Sequence, residues 1–122
     1  MQILVAGGTA VSRRAIVTLL RTKPELDIVG DAATIEEFTS QTTLKQPDLV
    51  LMNGLRWVGS VDEVATFLRD IDSKPSLLIL STQGSARETA LATGADMFVL
   101  KGDPPKSLLT AVETIRYRRQ DV

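Results

Sequence analysis

The sequence predicts an α/β fold: a doubly wound, five-stranded parallel sheet with five helices, arranged as a three-layer α/β/α sandwich. Three observations predict it. Short apolar runs alternate with longer amphipathic stretches five times along the chain. Most of the short runs are apolar throughout, as strands buried on both faces require. The 122 residues suit one domain with one core, and no insertion or low-complexity linker separates the units. Strict strand–helix alternation implies parallel strands, right-handed crossovers and helices on both faces of the sheet.

The elements follow in order. Ile3-Leu4-Val5-Ala6 is a compact apolar strand ended by Gly7-Gly8. A helix over 10–21 carries a stripe of Val11, Ala15, Ile16, Leu19 and Leu20, with Thr9 as N-cap and Lys23-Pro24 as stop. Residues 26–31 alternate enough for an edge-side strand. Thr34 with Glu37 three residues later forms a capping-box pattern for a helix whose apolar face is Ile35, Phe38 and Leu44. Pro47-Asp48 precedes a third strand over 49–52. A helix over about 60–71 places Val61, Val64, Ala65, Leu68 and Ile71 on one side. Pro75 precedes a fourth strand over 77–80, and Gly94 closes a short helix over 85–93. The fifth strand is 97–100. Pro104-Pro105 then opens a last helix through Leu108, Leu109, Val112 and Ile115 to Arg116-Tyr117-Arg118-Arg119. The whole of 1–122 is expected to be a single domain, with the fold over about 1–118 and a tail or linker start over 119–122.

Composition removes several function classes. The chain has no cysteine, which excludes disulfides and thiolate chemistry. It has no histidine, which removes the commonest metal ligand and the usual neutral-pH acid–base group. Its 14 basic and 15 acidic residues leave a net charge of −1, so no nucleic-acid or membrane surface is expected of this domain itself. No apolar run is long enough for a membrane span and no signal-peptide pattern opens the chain, so a cytoplasmic location is expected. No enzyme constellation, metal site or cofactor site is recognisable.

In a sheet of this kind, function sits at the carboxyl ends of the strands. Those ends carry Gly7 and Gly8, Asp31, Asn53 and Gly54, Ser81 and Thr82, and Lys101 and Gly102. Read in order, they resemble the receiver domain of two-component response regulators, most closely the NarL-type group. Ile3-Leu4-Val5-Ala6 resembles the first strand, before the family's acidic pair. Pro47-Asp48-Leu49-Val50-Leu51-Met52 resembles the strand leading to the phosphorylated aspartate. Leu78-Ile79-Leu80-Ser81 ends at the family's switch Ser/Thr, and Gly94-Ala95-Asp96-Met97-Phe98-Val99-Leu100-Lys101 resembles the strand that bears an aromatic residue and then a lysine. The resemblance covers nearly all of the chain. It implies a flavodoxin-like sheet of strand order 2-1-3-4-5.

The same resemblance implies that three carboxylates should hold Mg²⁺ and accept a phosphoryl group. Here Gly7 and Gly8 stand in place of the acidic pair and Asn53 in place of the acceptor. Glycine supplies no side-chain ligand, and an amide does not accept a phosphoryl group. The expected site is therefore vestigial at Asn53, Gly7 and Gly8, while the switch and pocket positions Ser81, Thr82, Phe98 and Lys101 persist. The leading expectation is an atypical, phosphorylation-independent receiver in signal transduction or transcriptional regulation, acting by protein–protein contact. Two alternatives stand beside it: a small-anion-sensing domain using Lys101, Ser81 and the Gly7-Gly8 amides, and a conventional Mg-dependent phosphoreceiver.

The resemblance also implies partners. A homodimer through the fourth helix, fifth strand and fifth helix would draw on Arg87, Asp96, Lys106, Glu113 and Arg116; Trp57, in the loop after the third strand, could cover the pocket or contact a partner. NarL-type receivers usually precede a C-terminal DNA-binding output domain. Asn53-Gly54 is in addition a deamidation-prone pair, because an unhindered glycine N–H can attack the side-chain amide.

Overall fold

The computed structural model describes residues 1–54 and 61–120. Its strands are β1 (Gln2–Ala6), β2 (Asp27–Ala32), β3 (Leu49–Asn53), β4 (Ser76–Ser81) and β5 (Met97–Leu100), and its helices are α1 (Ala10–Leu20), α2 (Ile35–Lys45), α3 (Val61–Arg69), α4 (Arg87–Ala92) and α5 (Pro105–Gln120). The strands pair in parallel in the order β2-β1-β3-β4-β5. This is the class that the sequence pattern predicts and the strand order that the resemblance implies.

Side-chain alternation along each strand splits the core into two layers. Leu4, Ala6, Val50, Met52, Leu77, Ile79 and Phe98 point to the side covered by α2, α3 and α4. Ile3, Val5, Leu49, Leu51, Leu78, Leu80 and Val99 point to the side covered by α1 and α5. Both faces of the central strands are thus dry, which is why those runs read as uninterrupted apolar sequence.

Local signals set most of the ends. Thr9 caps α1 by accepting from Ser12 N–H, and Thr34 caps α2 by accepting from Glu37 N–H. Glu37 reaches back to Ala33 N–H rather than to the cap residue, a displaced form of the capping box. Gly94, at φ 129°, follows α4; a Cβ there would collide with that of Ala65, so the loop passes directly against α3.

Four expectations about the helices need correction. The buried stripe of α1 is Arg13, Ile16, Val17 and Leu20, while Val11 is 78% exposed and Ala15 is also exposed. On α2 only Phe38 and Thr42 are buried, and Ile35 and Leu44 face solvent. The region expected as one helix over 85–93 is a 3₁₀ turn, Gly84–Ala86, leading into the shorter α4. Finally, α5 runs past the expected fold end to Gln120. Arg119 explains the extension: it donates to the carbonyls of Lys74 and Ser73 and to Ser76 Oγ, and its guanidinium lies 3.5 Å from Asp48.

Candidate functional site

Because all strands run the same way, their carboxyl ends share one edge of the sheet. Asn53 is the last residue of β3 and pairs in register with Leu80 of β4; Ser81 ends β4 opposite Leu100 of β5, and Lys101 follows directly. Gly7 and Gly8 leave β1 beside them, with Gly7 N–H donating to Ala32 O of β2. The topology therefore brings Gly7, Gly8, Asn53, Ser81 and the backbone of Lys101 to one place.

Asn53 is only 2% exposed. Its Nδ2 donates to Gly7 O at 3.3 Å and to Ser12 Oγ at 3.0 Å. Its Oδ1 is buried and meets no donor among the described residues. Gly8 has φ 72°, and a Cβ on it would run into the Asn53 side-chain amide, 2.9 Å from Cγ. The amide of Asn53 and the bare backbone of Gly8 are complementary in shape: the space that a side chain at position 8 would enter is filled.

A second donor closes the same loop. Arg13 is 7% exposed; Nη1 donates to Gly8 O at 2.7 Å and to Gly7 O at 3.4 Å, while Nε pairs with Asp31 at 2.5 Å. The Asp31 side chain is half-exposed, so the guanidinium is the buried partner and the carboxylate its link to solvent. Arg13 was not foreseen as a site residue. Its signal lay in the spacing Arg13, Ile16, Val17, Leu20, which puts a charge on the buried stripe of α1, within reach of Asp31 on the neighbouring strand.

These groups do not fit a divalent cation. Mg²⁺ needs oxygen ligands that are free to accept. Here the carbonyls of Gly7 and Gly8 already take N–H donors from Arg13 and Asn53, the glycines bring no side-chain ligand, and Asn53 Oδ1, though without a donor among the described residues, is a neutral amide oxygen that brings no charge to balance the cation. Among the described residues no cluster of three or more His, Cys, Asp or Glu occurs.

The remaining predicted positions fall apart in role. Ser81 is buried, and its Oγ accepts from Gln83 N–H at 3.0 Å. Thr82 is exposed. Phe98 is buried beneath Arg87, whose guanidinium carbon sits 5.5 Å from the ring centroid, a cation–π contact. Lys101 is fixed only through its backbone, whose N–H donates to Ser81 O at 2.9 Å. Its ammonium is exposed and has no hydrogen bond or ion pair among the described residues, so the side chain reaches solvent.

Of the charges expected on a partner face, Lys106 is exposed, Arg87 covers Phe98, and Glu113 pairs with Arg116 along α5 at 3.4 Å. Asp96 lies at the opposite edge, where its carboxylate accepts from Leu77 N–H at 2.7 Å and closes the start of β4. Trp57 lies outside the described residues. Among the described residues no helix is long and apolar enough to cross a membrane.

The fold is that of receiver-type α/β domains, and comparison with known proteins finds response regulators. No protein-family model matches the chain. It is 27% identical over 117 residues to the DNA-binding transcriptional activator DevR/DosR of Mycobacterium tuberculosis, covering 94% of this chain and 54% of that protein. It is 31% identical over 105 residues to a protein-glutamate methylesterase/protein-glutamine glutaminase of Desulfotalea psychrophila, covering 83% of this chain and 29% of that protein. Among solved structures, a two-component response regulator of the LuxR family from Aurantimonas sp. superposes with a TM-score of 0.80 at 27% identity, covering 93% of this chain and 83% of that one. The relatives and structural neighbours that this chain resembles are thus response regulators, NarL/LuxR-type regulators among them. The chain spans about half or less of the length of these curated relatives.

Proposed function

We propose that this receiver serves two-component-type signalling without aspartyl phosphorylation, and that it acts in the cytoplasm through protein–protein contacts. The observation that carries the reading is the Asn53 amide, which fills the space beside Gly8 and donates to Gly7 O and Ser12 Oγ. A phosphoryl acceptor must offer a nucleophilic oxygen beside a bound cation. The side chain at this position turns donor hydrogens toward the loop instead, and Arg13 supplies the loop's positive charge from within the fold. The Arg87–Phe98 contact supports a signalling face, around α4, β5 and α5, held in one arrangement. That face is the proposed surface of a homodimer. DevR/DosR is a DNA-binding activator, which favours a DNA-binding output domain beyond this chain as the other partner.

The test is direct. The domain is incubated with Mg²⁺ and acetyl phosphate, and separately with Mg²⁺ and beryllofluoride; intact mass and sedimentation are then measured. The expected result is no phosphoryl adduct and the same sedimentation with and without either reagent. An adduct, or a change of association state, restores the conventional phosphoreceiver.

A further inference from the structure

Near the start of α5, a groove of about 330 Å³ separates that helix from α1, at the same edge of the sheet as Asn53. That volume is in the lower part of the range of small-molecule sites. Its floor is apolar and fixed: Ile16 of α1, Leu80 of β4, Val99 of β5 and Leu108 of α5 are all buried core residues. Its mouth is polar, with Ser12, Lys101 and Asp103.

The polar groups are not equivalent. Ser12 Oγ accepts from Asn53 Nδ2, so one lone pair is occupied, and its proton meets no acceptor among the described residues. Lys101 projects from a backbone held to Ser81 O, and its ammonium is free among the described residues. A hydroxyl donor and an ammonium above a hydrocarbon floor match a group with one anionic head and an apolar body. The exposed Asp103 carboxylate at the mouth opposes a second negative charge, which favours a carboxylate over a phosphomonoester.

We propose that this groove binds a small monocarboxylic acid with a short apolar chain, its carboxylate on Lys101 and Ser12 and its chain along Ile16, Leu80, Val99 and Leu108. The site is lateral to the space filled by Asn53 and does not rest on the absence of phosphorylation. It gives Asn53 a role, that of orienting the Ser12 hydroxyl, and it gives the unpaired Lys101 ammonium a ligand.

Hexanoate titrated into the protein, followed by backbone amide NMR shifts, tests this. Saturable shifts confined to α1 and the β5–α5 turn are expected. Lys101→Met, a change at an exposed side chain, should weaken binding about tenfold, the usual effect of losing one charge-assisted hydrogen bond. Ala15→Trp, on the exposed wall of the groove, should abolish binding with the thermal melt unchanged. 1-Hexanol should bind at least about tenfold more weakly than hexanoate, because it lacks the charge. Inorganic phosphate should leave these amides unmoved. The proposal is overturned by shifts that do not saturate or that map elsewhere. It is equally overturned by hexanoate binding that survives both substitutions, or by phosphate binding as tightly as hexanoate. None of these outcomes bears on the phosphoryl-adduct experiment, so the two readings fail separately.

Discussion

Asn53 and Arg13 are both buried, both polar and both donors, and between them they hold the β1–α1 loop through the carbonyls of Gly7 and Gly8. Asn53→Asp keeps the shape and removes the donors. It leaves a desolvated carboxylate facing a carbonyl, so urea denaturation at neutral pH should show a loss of about 2 kcal/mol or more. Burial raises the pKa of the introduced carboxyl in the folded state. The loss should therefore grow as pH rises above the ordinary carboxylate range and shrink as pH falls through it. A loss that is flat with pH would contradict this. Arg13→Ala should cost more than Asp31→Ala, because the guanidinium is buried and serves two carbonyls whereas the carboxylate is half in water. Equal losses in the two variants would mean that the ion pair, not the loop, is what Arg13 supports. Deamidation at Asn53-Gly54 should be slow in the native protein: the side chain is held by Gly7 O and Ser12 Oγ, and Gly54 N–H donates to Leu80 O at 2.7 Å. Peptide mass analysis after incubation should find the conversion mainly in urea-unfolded samples.

Among the elements, α5 carries the least expected contact. Arg119 ties its final turn to the carbonyls of Ser73 and Lys74 and to Asp48, which itself accepts Gln2 N–H. The last turn of a helix ordinarily frays, since its carbonyls lack partners. Arg119→Ala should leave global stability within about 1 kcal/mol, as expected of partly exposed ion pairs. It should nevertheless speed hydrogen exchange at the end of α5, and unchanged exchange there would remove Arg119 from the account. The helices also show where periodicity misleads. Val11, Ile35 and Leu44 fit a stripe by residue type, yet they face solvent. Each lies in the first or last turn of its helix.

For the molecule as a whole, the sheet places Gly7, Gly8, Asn53, Ser81 and Lys101 at one edge and the two core layers behind it. The groove along α4, β5 and α5, about 450 Å³ and bordered by Arg87, Phe98 and Lys106, is the surface that the proposed homodimer would use. Lys106 is exposed there and stands outside the core, so Lys106→Glu should weaken any self-association by about tenfold while leaving the thermal midpoint in place. Sedimentation across a concentration series checks it. An unaltered association constant would move the interface elsewhere on the domain.

The sequence by itself determined the class of fold, the number and order of the elements, and the positions that meet at the carboxyl edge. Apolar runs and caps are local signals, and parallel topology converts strand ends into a shared site. It also determined that Gly7, Gly8 and Asn53 carry no carboxylate. Only the tertiary structure decided how that edge is closed: Arg13 turned inward, Asn53 packed against Gly8, and Lys101 left facing outward beside an apolar groove. Those outcomes depend on side chains from distant elements competing for the same few carbonyls and the same small volume. No pattern along a single stretch of chain records which donor wins.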